Sequence, residues 1–567
     1  MRTDGRPGKL CRLFPGSPRL LGGIFAVSGI INVLGLTGSF YMLQVYDRVL
    51  ASRSLPTLAA LSLLAVGLYL LQGVLEIIRS QILVRSALLL NLGITPRAHG
   101  AVIQSLLKGG SGAKGTEALR DLDNVSRTIS EPALLAFLDL PWMPLYVAFI
   151  FMLHPGLGLL ALTCATLLVS LAIIAERRTK ELEVAATGAG LRRQHIADAN
   201  ARNVEVIRAM GMEGRVAERF GQANAHFLAI QTRASDVTGS FAGASRVIRM
   251  MLQSATLGCG AYLTLEGAMS AGAIVAASIA VSRALAPIEI AISQWRKFIA
   301  ARQSLTRLTH ALESTASAPL ATKLPPPSAS LELRDVAIAA PSGERLILQD
   351  VNLTLRAGEG LGVIGSSAAG KSSLVRAITG IWPARKGSIR LDGACLDRWP
   401  ADELGRHFGY LPQEVELFEG TIAENIARLA PQPCSEAVLA AARAAGVHDL
   451  ILNLPEAYET RLGPGGAGLS VGQRQRIALA RALYGDPFLV VLDEPNSNLD
   501  VAGEAALTSA IRGIRARGGI VVIVSHRPNA IAAVDLIAVV KNGTLASWGS
   551  KPEVLKGIAR PKLRSVS

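Results

Sequence analysis

Through about residue 300 the chain carries six apolar stretches, at about 21 to 44, 56 to 78, 132 to 153, 155 to 175, 250 to 267 and 271 to 292. Each is near the ~20 residues that a helix needs to cross a bilayer. Lipid offers the backbone no hydrogen bonds, so such stretches must satisfy their own N–H and C=O groups, as helices do. The rest of the composition agrees. Half of the 567 residues are hydrophobic, mean hydropathy is +0.36 and only 18% of residues are charged, too apolar for an ordinary soluble protein. The third stretch is interrupted by Asp139, Pro141 and Pro144 and the sixth by Arg283 and Pro287, which blurs their boundaries. Charge inside a span is costly, so Asp139 and Arg283 are expected to face the bundle interior.

Basic residues orient the spans. The connections between spans two and three and between four and five are long and polar, with about seven and a dozen Lys and Arg, whereas the turns "HPG" and "LEGAMSAG" have none. Positive charge stays inside, which puts both long connections and both ends of the span set in the cytoplasm. These connections keep helical periodicity, as in "RQHIADANARNVEVIRAMGMEGRVAERF" (Arg193 to Phe220), so the membrane helices are expected to continue well beyond the bilayer. Arg2, Arg6, Lys9, Arg12 and Arg19 precede a first apolar run that lacks a clean cleavage site; it reads as a first span with a cytoplasmic basic start. The net charge of +15 fits loop Lys and Arg. With no aromatic-interleaved basic stripe, no nucleic-acid partner is expected. The five cysteines are scattered without ligand-like spacing, and neither disulfide nor zinc is expected.

Around "STASAPLATKLPPPSAS" (Ser314 to Ser330) composition shifts to Pro, Ser and Ala, the mark of a connector. Strand-like runs such as "LELRDVAI" and "LGVIG" then alternate with helical ones, giving soluble α/β character. The expected organisation is a helical membrane domain over 1–313, a linker over 314–327 and an α/β domain over 328–567.

The second domain carries phosphate chemistry. In "GVIGSSAAGKSSL" a strand-like run ends in Gly365, passes through Ser366, Ser367, Ala368, Ala369 and Gly370, and opens a helix at Lys371, Ser372 and Ser373. This is G-x-x-x-x-G-K-[ST]: glycines let backbone N–H groups wrap phosphates, the lysine reaches the β and γ oxygens, and Ser372 is placed for Mg²⁺. "FLVVLDEP" is a buried strand ending in two carboxylates. Parallel sheets present ligands at strand carboxyl ends, so Asp493 can hold Mg²⁺ through water and Glu494 can polarise an attacking water. "GIVVIVSHRP" ends a third strand in Ser525 and His526, where the imidazole can contact a γ-phosphate and Glu494. Gln413, polar within "YLPQEVELFEGTIAENI", can contact Mg²⁺ or the water through its neutral amide. "LSVGQRQRIALARAL" (Leu469 to Leu483) starts a helix with a polar turn, a second anion-binding geometry.

In order, "GSSAAGKSS", Gln413, "LSVGQ", "LDEP", "SNLD" (Ser497 to Asp500) and His526 resemble the motif set of an ABC-transporter nucleotide-binding domain. With six spans ahead of it, the whole chain resembles an ABC exporter half-transporter: a six-helix all-α membrane domain followed by an α/β P-loop ATPase. "YMLQVYDRVL", "LRDLDNV", "DLPWMPLY", "RNVEVIRAMGM" and "LDEPNSNLD" narrow the likeness to the permease/ATPases of type I secretion systems, particularly the protease-exporting branch.

That resemblance implies ATP and Mg²⁺ as ligands and a homodimer in which Ser470, Gly472 and Gln473 of one copy, with Asp500, complete the site on the P-loop of the other. It implies a bacterial inner-membrane location, contact with membrane lipid, a periplasmic membrane-fusion adaptor, an outer-membrane channel protein and an unfolded polypeptide cargo. No peptidase domain precedes the first span, which resembles exporters whose cargo carries an uncleaved C-terminal signal. Two departures stand out. Val471 replaces the more usual glycine, and a β-branched residue resists positive φ and crowds a backbone approach. "VAIAAPSGE" offers Ala339 and Ala340 where the family often has an adenine-stacking aromatic. An exporter of lipid, drug or small peptide shares every ATPase residue and is the alternative; a soluble ABC ATPase acting on DNA is opposed by the six apolar stretches.

Overall fold

The structure is a computed structural model describing residues 17–107, 109, 116–315, 324–341, 343, 345–525, 527 and 531–559. The basic start before Ser17, the middle of the linker and His526 lie outside the described residues. The chain divides into two compact units between residues 317 and 318.

All six apolar stretches of the first unit are helical. The first is α1 (Ser17–Leu34), resumed as Thr37–Gln44 after a break and ended by a π turn, Val45–Val49. The second lies in α2 (Leu55–Leu107). After the amphipathic α3 (Glu117–Ser130), the third is divided into Pro132–Asp139, a 3₁₀ turn at Leu140–Trp142, and α4 (Met143–Leu153). Pro141 and Pro144 each stand in the first turn of the segment they open, where a missing N–H costs nothing. The others lie in α5 (Pro155–Arg202), α6 (Glu213–Leu265) and α7 (Ala271–Thr315).

Among the described residues Gly22–Ser52, Leu55–Leu107, Pro155–Arg202 and Ala271–Trp295 are long and apolar enough to cross a membrane, and Phe137–Leu153 is a shorter apolar helix. The fifth stretch is helical, but Ser254, Thr256, Gly258 and Gly260 dilute its hydropathy. At 53 residues, α2 is about 80 Å long at 1.5 Å per residue, far more than the ~30 Å hydrocarbon core. Its leucines, such as Leu63 at 76% and Leu70 at 67% exposure, point outward as lipid permits.

Alanines make the interior. Ala277, Ala280 and Ala284 on α7 are at most 1% exposed and pack in one cluster with Ile150, Leu157, Leu168 and Leu252, since small side chains let helices approach closely. Asp139 faces this interior as expected. It accepts from Arg79 Nη1 at 2.7 Å and Asn32 Nδ2 at 3.0 Å, while Tyr146 donates to the Asn32 carbonyl at 2.9 Å. Arg283 is exposed on a cleft that it lines with Tyr41, Ser62 and Tyr69 of other helices. Away from the membrane stretches, α3 buries Leu122 and Val125 against Leu90, Ile94 and Leu308, and Arg307 grips Asp121 through two nitrogens.

The second unit is built on a ten-stranded sheet in the order β5-β4-β1-β2-β12-β11-β3-β10-β9-β6. Its strands are β1 (Ser330–Ala339), β2 (Leu346–Arg356), β3 (Gly360–Gly365), β4 (Lys386–Leu391), β5 (Ala394–Cys395) and β6 (Phe408–Leu411), then β9 (Leu489–Asp493), β10 (Ile520–Val524), β11 (Leu536–Lys541) and β12 (Thr544–Ser550); β7 (Gly420–Thr421) and β8 (Arg461–Leu462) pair separately. β11, β3, β10, β9 and β6 run parallel, and β1 with β2 and β4 forms an antiparallel limb. Every residue of β9 and β10 is buried. That explains their unbroken Val, Ile and Leu runs, since a parallel sheet is covered on both faces.

Candidate nucleotide-binding site

The loop after β3 begins with a close approach. A Cβ added at Gly365 would lie 2.2 Å from the Val540 carbonyl oxygen, so any side chain would drive β3 away from β11. Ala368 and Gly370 then take φ of 60° and 106°, and α8 (Lys371–Ile378) starts directly. A left-handed curl running into a helix N-terminus turns successive N–H groups toward one point, an anion cradle. Ser366, Ser367 and Ala368 are exposed on this loop, whereas Ala369, Gly370 and Ser373 are buried beneath it. Lys371 is buried, and its Nζ donates to the carbonyl oxygens of Gly365 and Ser366, both at 2.9 Å.

Asp493, the last residue of β9, is buried close to the Ser372 side chain. Burial pushes its pKa above the usual carboxylate value and the Glu494 charge adds to this, while the nearby Ser372 hydroxyl and the charges of Arg376 and Lys371 oppose it. Asp493 Oδ1 is buried without a hydrogen-bond partner. A desolvated carboxylate oxygen left open beside a hydroxyl suits a hard divalent cation such as Mg²⁺. Among the described residues no three His, Cys, Asp or Glu side chains converge, so such a cation would draw most of its shell from phosphate and water.

Glu494 takes a φ of 49°, uncommon for a non-glycine residue. Its N–H bonds the Val524 carbonyl at 3.0 Å, and its Oε2 accepts from Gln413 Nε2 at 3.1 Å. Lys371, Ser372, Gln413, Asp493 and Glu494, scattered over some 120 residues of sequence, are thus gathered at the carboxyl ends of β3 and β9. His526 lies outside the described residues; its neighbour Ser525 is buried and donates to Asn496 Oδ1 at 3.2 Å.

The second anion-type turn has a different neighbourhood. Ser470 caps α9 (Val471–Leu483) in a reciprocal box: Gln473 N–H donates to Ser470 Oγ at 3.2 Å, and Ser470 N–H to Gln473 Oε1 at 2.9 Å. A Cβ added at Gly472 would lie 2.8 Å from the Asn498 carbonyl oxygen, so the turn packs on the "SNLD" segment. Asp500 caps α10 (Val501–Ala516), accepting from Gly503 N–H at 2.9 Å and pairing with Arg476 of α9. The Gly503 N–H and then Arg476 hold its pKa below the usual carboxylate value. Among the described residues, 470–473 share no hydrogen bond or ion pair with the 365–373 loop of their own chain.

Two points correct the sequence reading. Val471 is the first helical residue, is not among the positive-φ residues and is half exposed, so it carries no φ strain; Gly472 is the position where backbone approach excludes a side chain. Gln475 escaped notice. It is buried, and its Nε2 donates to the Pro495 carbonyl at 2.5 Å, tying α9 to the turn after β9. Its spacing with Ala478, Leu479 and Ala482 on one helical face was the available signal. Of the two alanines in the adenine-stacking position, Ala339 is buried opposite Leu346 and Ala340 is half-buried.

The ABC transporter family profile matches residues 348–497, and that of the ABC transporter transmembrane region matches residues 21–282. The chain is 50% identical over 540 residues to the type I secretion system ATP-binding protein PrsD of Rhizobium meliloti, covering 95% of this chain and 93% of that one. It is 27% identical over 547 residues to the cyclolysin secretion/processing ATP-binding protein CyaB of Bordetella pertussis, covering 94% and 76%. In fold it is similar to a bacterial Atm1-family ABC exporter with ATP bound, at a TM-score of 0.81 and 22% identity over 95% of this chain and 97% of that one.

Proposed function

The chain belongs to the ABC transporters, within the ATP-binding proteins of type I secretion systems, and on that premise we propose that it is the permease and ATPase that drives a polypeptide across the bacterial inner membrane. The observation that carries the reading is the gathering of Lys371, Ser372, Asp493, Glu494 and Gln413 around one phosphate loop in a chain with membrane-crossing helices.

The loop N–H groups and Lys371 bind the nucleotide phosphates. Ser372 and Asp493, with Gln413 close by, would hold Mg²⁺, which when bound offsets phosphate charge. Glu494, its carboxylate held by Gln413, orients the attacking water and takes its proton as the new P–O bond forms and the β–γ bridge breaks. His526 is assigned to the γ-phosphate from its motif alone. Ser470, Gly472, Gln473 and Asp500 complete the site on a second copy, making the working unit a homodimer. This is supported by the lack of bonding between 470–473 and the chain's own loop. The ATPase domain and the N-terminus face the cytoplasm, as the loop charges indicate, and lipid surrounds the outward leucines. A membrane-fusion adaptor and an outer-membrane channel continue the route, and the cargo carries a C-terminal signal.

Glu494→Gln tests the assignment. ATP affinity should persist, while phosphate release and secretion of the polypeptide fall by about a hundredfold or more. Native turnover in that variant would remove Glu494 from the chemistry.

A further inference from the structure

Two arginines on the membrane helices are held by acids, and a third in the middle of a span is not. Arg79 bonds Asp139 at 2.7 Å, and Arg249 forms an ion pair with Glu289 at 2.7 Å. Arg283 stands midway along the apolar Ala271–Trp295 segment of α7, twelve residues from either end. It is exposed, and among the described residues nothing hydrogen-bonds or ion-pairs its guanidinium. An unpaired cation at that depth needs water and a counter-charge.

Arg283 lines a cleft of about 370 Å³ together with Tyr41, Ser62 and Tyr69, a volume in the range of small-ligand pockets. Tyr41 and Ser62 hydroxyls lie 2.9 Å apart. A Cβ on Gly38 would come within 2.9 Å of the Tyr69 hydroxyl, so that glycine leaves room for it. Pro287 lies within α7 four residues after Arg283 and removes the N–H that would bond the Arg283 carbonyl. One turn of α7 therefore carries a free guanidinium and a released main-chain acceptor. A peptide segment satisfies both, with a carboxylate for the first and a main-chain N–H for the second.

We propose that this cleft binds an acidic side chain of the polypeptide in transit, with Arg283 pairing the carboxylate and the Tyr41, Ser62 and Tyr69 hydroxyls completing its hydrogen bonds. The proposal rests on the export reading above and adds a charge preference to it.

The full-length protein in phosphatidylcholine nanodiscs is titrated, without nucleotide, with two fluorescein-labelled synthetic peptides of equal length and apolar content, one carrying four Glu and the other four Gln. The native protein should bind the Glu peptide about tenfold more tightly, the scale of a charge-assisted bond. Arg283→Gln should cut the preference below about twofold, Tyr69→Phe should reduce it part way, and Arg283→Glu should reverse it toward a four-Lys peptide. That reversal is a gain that misfolding cannot imitate. Equal binding of the Glu and Gln peptides by the native protein overturns the proposal, as does a preference that survives Arg283→Gln. A preference unchanged by Arg283→Gln, together with loss of co-purifying phosphatidylglycerol, assigns Arg283 to lipid and overturns it too. Equal binding with intact secretion sinks only this site, whereas binding of neither peptide and no secretion sinks the export reading with it.

Discussion

Gly472 offers the sharpest test of how the second phosphate-type turn is built. In Gly472→Ala the new Cβ falls 2.8 Å from the Asn498 carbonyl oxygen, about 0.6 Å inside the 3.4 Å at which ordinary contact begins. Neither side gives easily. α9 is tied to the turn after β9 by Gln475, and the Asn498 segment is anchored by Asp500, which caps α10 and pairs with Arg476. The overlap must be relieved by backbone movement, at about 1–3 kcal/mol. A half-ångström displacement of phosphate-binding N–H groups exceeds what a preorganised site tolerates, so turnover should fall by about tenfold or more. The P-loop is untouched, so a fluorescent ATP analogue should bind within about twofold of native. Val471→Gly is the contrast: a half-exposed residue with helical φ should change stability by less than about 1 kcal/mol. Thermal unfolding and steady-state ATPase assays on the purified variants read both effects. Native stability and turnover in Gly472→Ala would refute the packing argument, and loss of analogue binding would refute the separation of the two turns.

Further outcomes follow from buried charge at two sites. Because burial raises the Asp493 pKa, its contribution to stability is present below the unfolded-state carboxylate pKa and is lost as pH rises through the raised folded value. Mn²⁺ binding to the nucleotide-loaded protein, read by electron paramagnetic resonance, should weaken on acidification from a pH above the ordinary carboxylate range. Asp493→Asn should remove the binding and raise the melting temperature of the nucleotide-free protein at neutral pH; a lower melting temperature would show that the carboxylate is not a desolvation burden. In the membrane unit, Arg79→Met strands the Asp139 carboxylate and should cost about 3–5 kcal/mol. Adding Asp139→Asn should recover more than half of that in detergent unfolding, and simple additivity would mean that the two groups are uncoupled.

Much of the site was legible because its chemistry is local in sequence. "GSSAAGKSS" specifies its own loop through glycines and a following helix, and "FLVVLDEP" announces a buried strand with acids at its end. Proximity of the pieces was not legible. Nothing in the string says that Gln413 donates to Glu494 eighty-one residues away, or that Asp493 keeps an open oxygen beside Ser372. Strand order in the sheet decides both. The third apolar stretch shows the same division: Pro141 and Pro144 signalled a break, but only the packed helices place Asp139 between Arg79 and Asn32.

By itself the sequence determined what periodicity and short motifs encode: apolar stretches that must be helices in lipid, a connector rich in proline, and a phosphate loop with its acids. Tertiary structure decided which side of a residue meets what. Sequence marked Val471 as the oddity, yet the close backbone contact falls on Gly472, because a helix start turns neighbouring residues about 100° apart. Sequence put both Asp139 and Arg283 inside. Three-dimensional packing gave the aspartate its arginine and left Arg283 open to a cleft, since pairing depends on distances between helices that no local pattern records.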